Sequence, residues 1–250
     1  MWLLERYQAG MMASVALFLI VPAALLALER PRIIVPALAF SLAIGAPSIV
    51  WIDELGSIGG QWEIVAPLPV ELPLIGVSVQ SLSWAVAHFF SSVVAWEKIK
   101  GTTSIARPSL RRVGLCAAWA WGLLAVFLAI KAWFPAWLQV HYFYLWFGLL
   151  LILAPVVVSC LAKPRFVRPL VILAVLGLFW KTAYEIAALR NEWWRFPGEF
   201  VGWVAPFGYR IPIEELVFWI VLFSPSIAVF WEFWNGSRAA RLPRRERRRS

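Results

Sequence analysis

Residues 211–223 read IPIEELVFWIVLF, an apolar run interrupted by two adjacent glutamates, Glu214 and Glu215. The run continues to Trp234 with one further charge, Glu232. About 20 predominantly apolar residues carry a helix across the hydrocarbon core of a bilayer, so residues 211–234 are predicted to span one. Carboxylates are costly at that depth. The pair is therefore either an acidic helix start or a reaction centre.

The rest of the chain has the same character. Of its 250 residues, 62% are hydrophobic, against roughly 45–50% apolar residues in a soluble domain. This composition predicts an all-α polytopic membrane protein with about seven transmembrane helices. They fall near residues 9–28, 33–52, 76–97, 111–131, 141–162, 168–188 and 211–234. The opening MWLLERYQAGMM lacks the basic start and small-residue cleavage site of a signal peptide, so the first helix is read as retained. Cys116 and Cys160 lie in separate apolar runs, which suits core thiols rather than a disulfide framework or a zinc site.

The net charge of +9 is concentrated rather than spread. The tail SRAARLPRRERRRS, residues 237–250, holds Arg238, Arg241, Arg244, Arg245, Arg247, Arg248 and Arg249. Basic clusters beyond a last membrane helix set topology or touch anionic lipid, so no nucleic-acid partner is expected. Arg30, Arg32, Lys98, Lys100, Arg107, Arg111, Arg112, Lys163, Arg165 and Arg168 fall on the same side as that tail. Arg6, Lys131, Arg190, Arg195 and Arg210 fall on the other. The positive-inside rule then places the carboxy terminus in the cytoplasm and the amino terminus outside. Two longer stretches, 53–75 and 189–210, lie outside and are rich in Trp, Pro and Gly, as an interfacial lid or mouth would be.

The chain also repeats itself. In WIDELGSIGGQWEI, Asp53 precedes Trp62 by nine residues; in YEIAALRNEWWRF, Glu185 precedes Trp194 by nine. Ile64 and Phe196 keep the same offset, and the following helices end in SSVVAWE (Glu97) and SPSIAVFWE (Glu232). The expected organisation is a first three-helix unit over 1–100 and a linker helix over 101–140. A second unit follows over 141–235, then a basic tail over 236–250. A four-helix offset gives both units the same orientation, a parallel repeat. The copies differ at the opening stretch: where the second has IPIEELVFW, the first has VSVQSLSWA, residues 77–85, with Gln80 and Ser81 in place of the glutamates.

Ionisable groups within membrane helices are functional candidates by default. Lys181 and Glu185 are four apart and share a helix face, either as a pair that eases burial or as a carboxylate tuned by an amine. Pro212 with Glu214 and Glu215 suits an ordinary helix start, since acidic residues complement the positive helix end. Adjacent helical residues point about 100° apart, so only one of the two can face the bundle squarely. Glu214 shares a face with Phe218, and Glu215 with Trp219. A carboxyl group over aromatic rings in a dry pocket can serve as a general acid, and aromatic faces stabilise a carbocation. A lone mid-span histidine such as His88 suits an interhelical hydrogen bond. No dinucleotide loop, Walker motif, HExxH or Asp-rich diphosphate motif occurs, so neither a cofactor nor a metal is expected, and the chemistry should be redox-neutral.

The stretch from Tyr184 to Trp234 resembles the lycopene cyclase domain family, the integral-membrane carotenoid cyclases found as heterodimeric subunits or as fused two-copy proteins. Glu185, Trp194, Phe196, Pro212, Glu214, Glu215, Phe218 and Trp219 carry the likeness. The resemblance implies an enzyme, an intramolecular lyase or isomerase, that closes the end-group ring of lycopene or a related linear carotenoid. A lipophilic carotenoid or prenyl substrate entering from membrane lipid is the implied partner, with other carotenoid-pathway enzymes nearby. On this reading Glu214 is the proton donor, Glu215 or Glu185 the base or relay, and Asp53 an auxiliary carboxylate. Lys181, Trp194, Phe196, Phe218, Trp219, Trp62 and His88 bind substrate. The loss of the acidic pair from the first copy leaves two alternatives open: a cyclase of non-carotenoid terpenoids, or a non-catalytic partner subunit of a cyclase. A retinal receptor is disfavoured because the last helix has no lysine.

Overall fold

A computed structural model describes residues 10–29, 31–65, 77–101 and 110–235. The basic tail, Arg6, Arg30, Arg107 and part of the first long loop lie outside the described residues. The chain is an all-α polytopic membrane protein, 82% helical. Its helices are α1 (Gly10–Leu28), α2 (Pro31–Ile58), α3 (Val79–Lys100), α4 (Arg111–Trp133), α5 (Phe143–Ala162), α6 (Pro164–Arg190) and α7 (Glu215–Asn235). Six of them, all but α3, are long and apolar enough to cross a membrane. At 22 residues α3 is as long as the others but more polar, and it buries Gln80, Ser81, His88, Ser92 and Glu97. That burial identifies it as a helix facing its neighbours rather than lipid.

Helix α2 runs further than the composition suggests. The loop expected to begin at Asp53 begins instead at Gly59–Gly60, where Gly60 takes a left-handed φ of 63°. Asp53 therefore sits on a helical turn, held at a fixed angle to the bundle.

Four helices contain a widened, π-helical segment, and each lies just before a proline. Ala16–Ile20 precedes Pro22, Ser41–Gly45 precedes Pro47, Gly148–Leu153 precedes Pro155, and Glu215–Leu222 precedes Pro225. Proline removes one backbone donor and its ring collides with the carbonyl four residues earlier. Opening one turn to i→i+5 bonding relieves the collision without breaking the helix. The widening re-aims side chains, and in α7 the re-aimed stretch begins at Glu215.

In lipid there is little hydrophobic drive between helices, so close approach and polar pairs hold the bundle. A Cβ on Gly177 of α6 would lie 2.8 Å from the Ile220 carbonyl, so the glycine lets α6 and α7 meet backbone to backbone. Ser92 and Ser224 share a hydrogen bond of 2.8 Å between α3 and α7.

The two ends of the bundle differ. At one end the loops after α2 and α6 join through strands β1 (Glu63–Ile64) and β2 (Trp194–Arg195), antiparallel, with Glu63 opposite Arg195 and Ile64 opposite Trp194. In the second loop, strands β3 (Trp203–Val204) and β4 (Ile211–Pro212) fold the chain back onto the start of α7. At the other end, Trp96 Nε1 donates to Glu232 at 2.8 Å and Trp231 Nε1 donates to Glu97 at 2.8 Å. Both indoles are fully buried. Each Trp–Glu dipeptide thus reaches across to the other's carboxylate, and Lys100 pairs with Glu232 and lies 3.6 Å from Glu97.

Candidate active site

The loop end of the bundle encloses an apolar cavity of about 890 Å³, counting the space at its open side. Side chains from α1, α2, α3, α5, α6, α7 and both long loops line it; α4 stands apart. Three carboxylates face it: Asp53 from α2, Glu185 from α6 and Glu215 from α7. Glu185 and Glu215 are 4% and 8% exposed.

Two of the carboxylates, Asp53 and Glu185, are positioned by a donor that local structure supplies. Trp62 Nε1 donates to Asp53 Oδ1 at 3.0 Å, and Trp194 Nε1 donates to Glu185 Oε1 at 2.7 Å. Both bonds span nine residues, because the chain leaves a helix beyond the acid and brings the tryptophan back just before β1 (Trp62) or within β2 (Trp194). Ser81 of α3 also lines the cavity and lies beside Asp53, its hydroxyl 3.0 Å from that of Ser78. Glu215 lies beside Glu185, with Tyr144 and Lys181 facing it. The serine that replaces a glutamate in VSVQSLSWA thus neighbours Asp53, as Glu215 neighbours Glu185.

Lys181 makes no ion pair with Glu185 among the described residues. Its Nζ donates instead to the Trp219 carbonyl at 3.0 Å, in the widened segment of α7. A backbone carbonyl loosened at membrane depth needs such a partner.

The two glutamates of IPIEELVFW part company. Glu214 is buried, and its Oε1 accepts the Val201 N–H at 2.6 Å. It is not among the residues lining the cavity and instead ties the second loop to the start of α7, next to the Ile213 N–H to Gly202 carbonyl bond of 2.9 Å. Of the two glutamates, Glu215 is the one that lines the cavity. Phe218 is displaced as well: it packs on α5, where a Cβ on Gly148 would lie 2.0 Å from its ring. Glu215 and Trp219, four apart, share the inward face, and in the π segment Ile220, five residues on from Glu215, lines the cavity with them.

The remaining expected residues, Trp62, His88, Lys181, Trp194, Phe196 and Trp219, all line the cavity. Trp219 is the hub of its aromatic wall, stacked on Phe147 at 5.3 Å and 4.7 Å from Phe223, with Tyr144 and Trp62 at 5.8 and 6.2 Å. Among the described residues His88 makes no interhelical hydrogen bond, and neither ring nitrogen has a partner. His141 lies outside the cavity, exposed, 3.0 Å from Glu199. Tyr144, Ser81, Trp84 and Tyr184 also line the cavity, on helices where an isolated polar or aromatic residue gives no signal of its own.

Trp62 is held from behind by Gly56, where a Cβ would lie 2.3 Å from the indole. Gly56→Ala is expected to push the indole off Asp53 and remove a hydrogen bond to a carboxylate, a loss of about 1.5–3 kcal/mol. Thermal unfolding in detergent should show the same drop for Gly56→Ala as for Trp62→Phe. An unchanged midpoint in Gly56→Ala would show that the Trp62–Asp53 bond contributes nothing.

Comparison of the chain with protein-family models, curated proteins and solved structures finds no match.

Proposed function

We propose that the chain is a membrane cyclase that closes a ring at the end of a linear carotenoid or other prenyl chain by proton transfer. The observation that carries this reading is the meeting of Asp53, Glu185 and Glu215 in one apolar, aromatic-walled cavity among membrane helices. A polar substrate would not need such walls, and a plain lipid site would not need three carboxylates.

The chemistry follows from the layout. Two carboxyl groups side by side away from water are more stable sharing one proton than both ionised. Glu215 delivers that proton to the terminal double bond of the chain, leaving a tertiary carbocation. The π electrons of the neighbouring double bond attack it and close the ring. A carboxylate, Glu185 or Asp53, then removes a proton from the adjacent carbon to set the ring double bond. The proton is returned, so there is no net redox change and no co-reactant. Trp219, Trp62, Trp194 and Tyr144 present ring faces that stabilise the cation, and Lys181 fixes the Trp219 backbone.

The substrate enters sideways from lipid between α1 and α6, where Phe18 and Trp180 meet edge-on at 5.8 Å. The positive-inside rule puts the cavity end outside and the Lys100 end in the cytoplasm. Expression in a host that accumulates lycopene, followed by chromatography of the pigments, tests the reading. One- or two-ringed products are expected. Unaltered lycopene, with ringed products only from another prenyl chain, would favour the non-carotenoid cyclase. Unaltered lycopene that becomes ringed only with a partner protein would favour the subunit role.

A further inference from the structure

His88 stands halfway along α3, 3% exposed, with both ring nitrogens unpartnered among the described residues. Its ring lies 4.8 Å from Trp84 and 5.0 Å from Phe223, and it lines the same cavity as the carboxylates. A neutral imidazole carries one donor and one acceptor. Lys181, the cation nearest to it, has its Nζ directed to the Trp219 carbonyl. The Tyr184 hydroxyl and the Trp219 indole N–H, on the walls of this cavity, are also buried without partners. A hydrocarbon occupant would leave all of them so, at the full desolvation cost of each group. An occupant with its own oxygen would not.

The depth of His88 fixes where that oxygen sits. Ser81, which lies beside Asp53 on the cavity wall, precedes His88 by seven residues on α3. At 1.5 Å per residue the imidazole lies about 10 Å deeper in the bundle than the carboxylates. Trp219 fills the level between, since it touches both Trp62 above and Phe223 below.

We propose that the cavity is built for an oxygenated prenyl chain, whose hydroxyl or carbonyl oxygen hydrogen-bonds His88 about 10 Å from the carbon that receives the proton. This rests on the reading of the cavity as a prenyl-chain site and narrows it. Sites made to hydrogen-bond a substrate group reject the analogue lacking it far more strongly than apolar pockets reject size changes.

The test uses the full chain purified in detergent. Tryptophan fluorescence is followed while farnesol, or the hydrocarbon of the same skeleton without the oxygen, is titrated in. The alcohol should bind at least tenfold tighter than the hydrocarbon. His88→Phe should cut that advantage to under about threefold, and His88→Gln, which keeps a donor and an acceptor, should retain part of it. Partition into detergent cancels in the ratio between variant and wild type. Equal affinity in the wild type, or a preference that survives in His88→Phe, overturns the proposal. If His88→Phe does not accumulate, the wild-type ratio and the His88→Gln ratio decide it. A His88-dependent preference with no ringed product from any chain would sink the cyclase reading and leave this one standing. Equal cyclisation of hydrocarbon and oxygenated chains would do the reverse.

Discussion

Glu215→Gln is expected to lower ring formation by about 10²–10⁴-fold, the usual contribution of a positioned general acid. The protein should still accumulate in the membrane, because glutamine keeps the volume and the hydrogen bonding of the side chain. Glu214→Gln is the informative comparison. Its carboxylate holds the Val201 N–H rather than the cavity, and an amide oxygen can still accept that bond. Activity should fall much less, with any loss appearing as a lower unfolding midpoint. The measurement is product formation per unit of membrane protein in the same host. If the two variants exchange behaviour, the placement of the acid on Glu215 is wrong.

The second large effect concerns stability. Glu232→Ala leaves the Trp96 indole N–H without its acceptor and the Lys100 ammonium with only Glu97, 3.6 Å away, at the buried end of α3 and α7. Removing one member of a buried, hydrogen-bonded charge set costs about 3–5 kcal/mol. Glu97→Ala should cost a comparable amount through Trp231. Because Lys100 lies near both carboxylates and each single variant leaves it one of them, the double variant should cost more than the sum of the two. Unfolding in mixed micelles measures all three. A change under about 0.5 kcal/mol in either single variant would show the crossed pairs to be incidental.

Much of this architecture is readable in the residues. Long apolar runs give the helices, and the nine-residue spacing of Asp53–Trp62 and Glu185–Trp194 is visible as a recurring pattern, although the two hydrogen bonds it carries appear only in the fold. The AWE and FWE endings are visible too, but nothing in one dimension says that each tryptophan serves the other copy's glutamate. That exchange depends on how α3 and α7 cross. The choice between Glu214 and Glu215 fails for a different reason. An α-helical wheel assigns faces at 100° per residue, and Pro225 widens the turns before it. A proline ten residues downstream of Glu215 was the available cue. Tyr144 and Ser81 are invisible because their importance lies in what stands opposite them.

The two sides of the cavity carry unequal equipment. One half brings Glu185 and Glu215; the other brings Asp53 and, at the place of the second glutamate, only Ser81. On the proposed chemistry there is one proton-delivering station and not two. A substrate with two identical ends cannot then be closed at both in a single stay. It must back out, turn and return, so the half-finished molecule passes through the surrounding lipid. Product composition should therefore depend on how long that intermediate lingers near the protein, with one-ringed molecules accumulating first and two-ringed ones following.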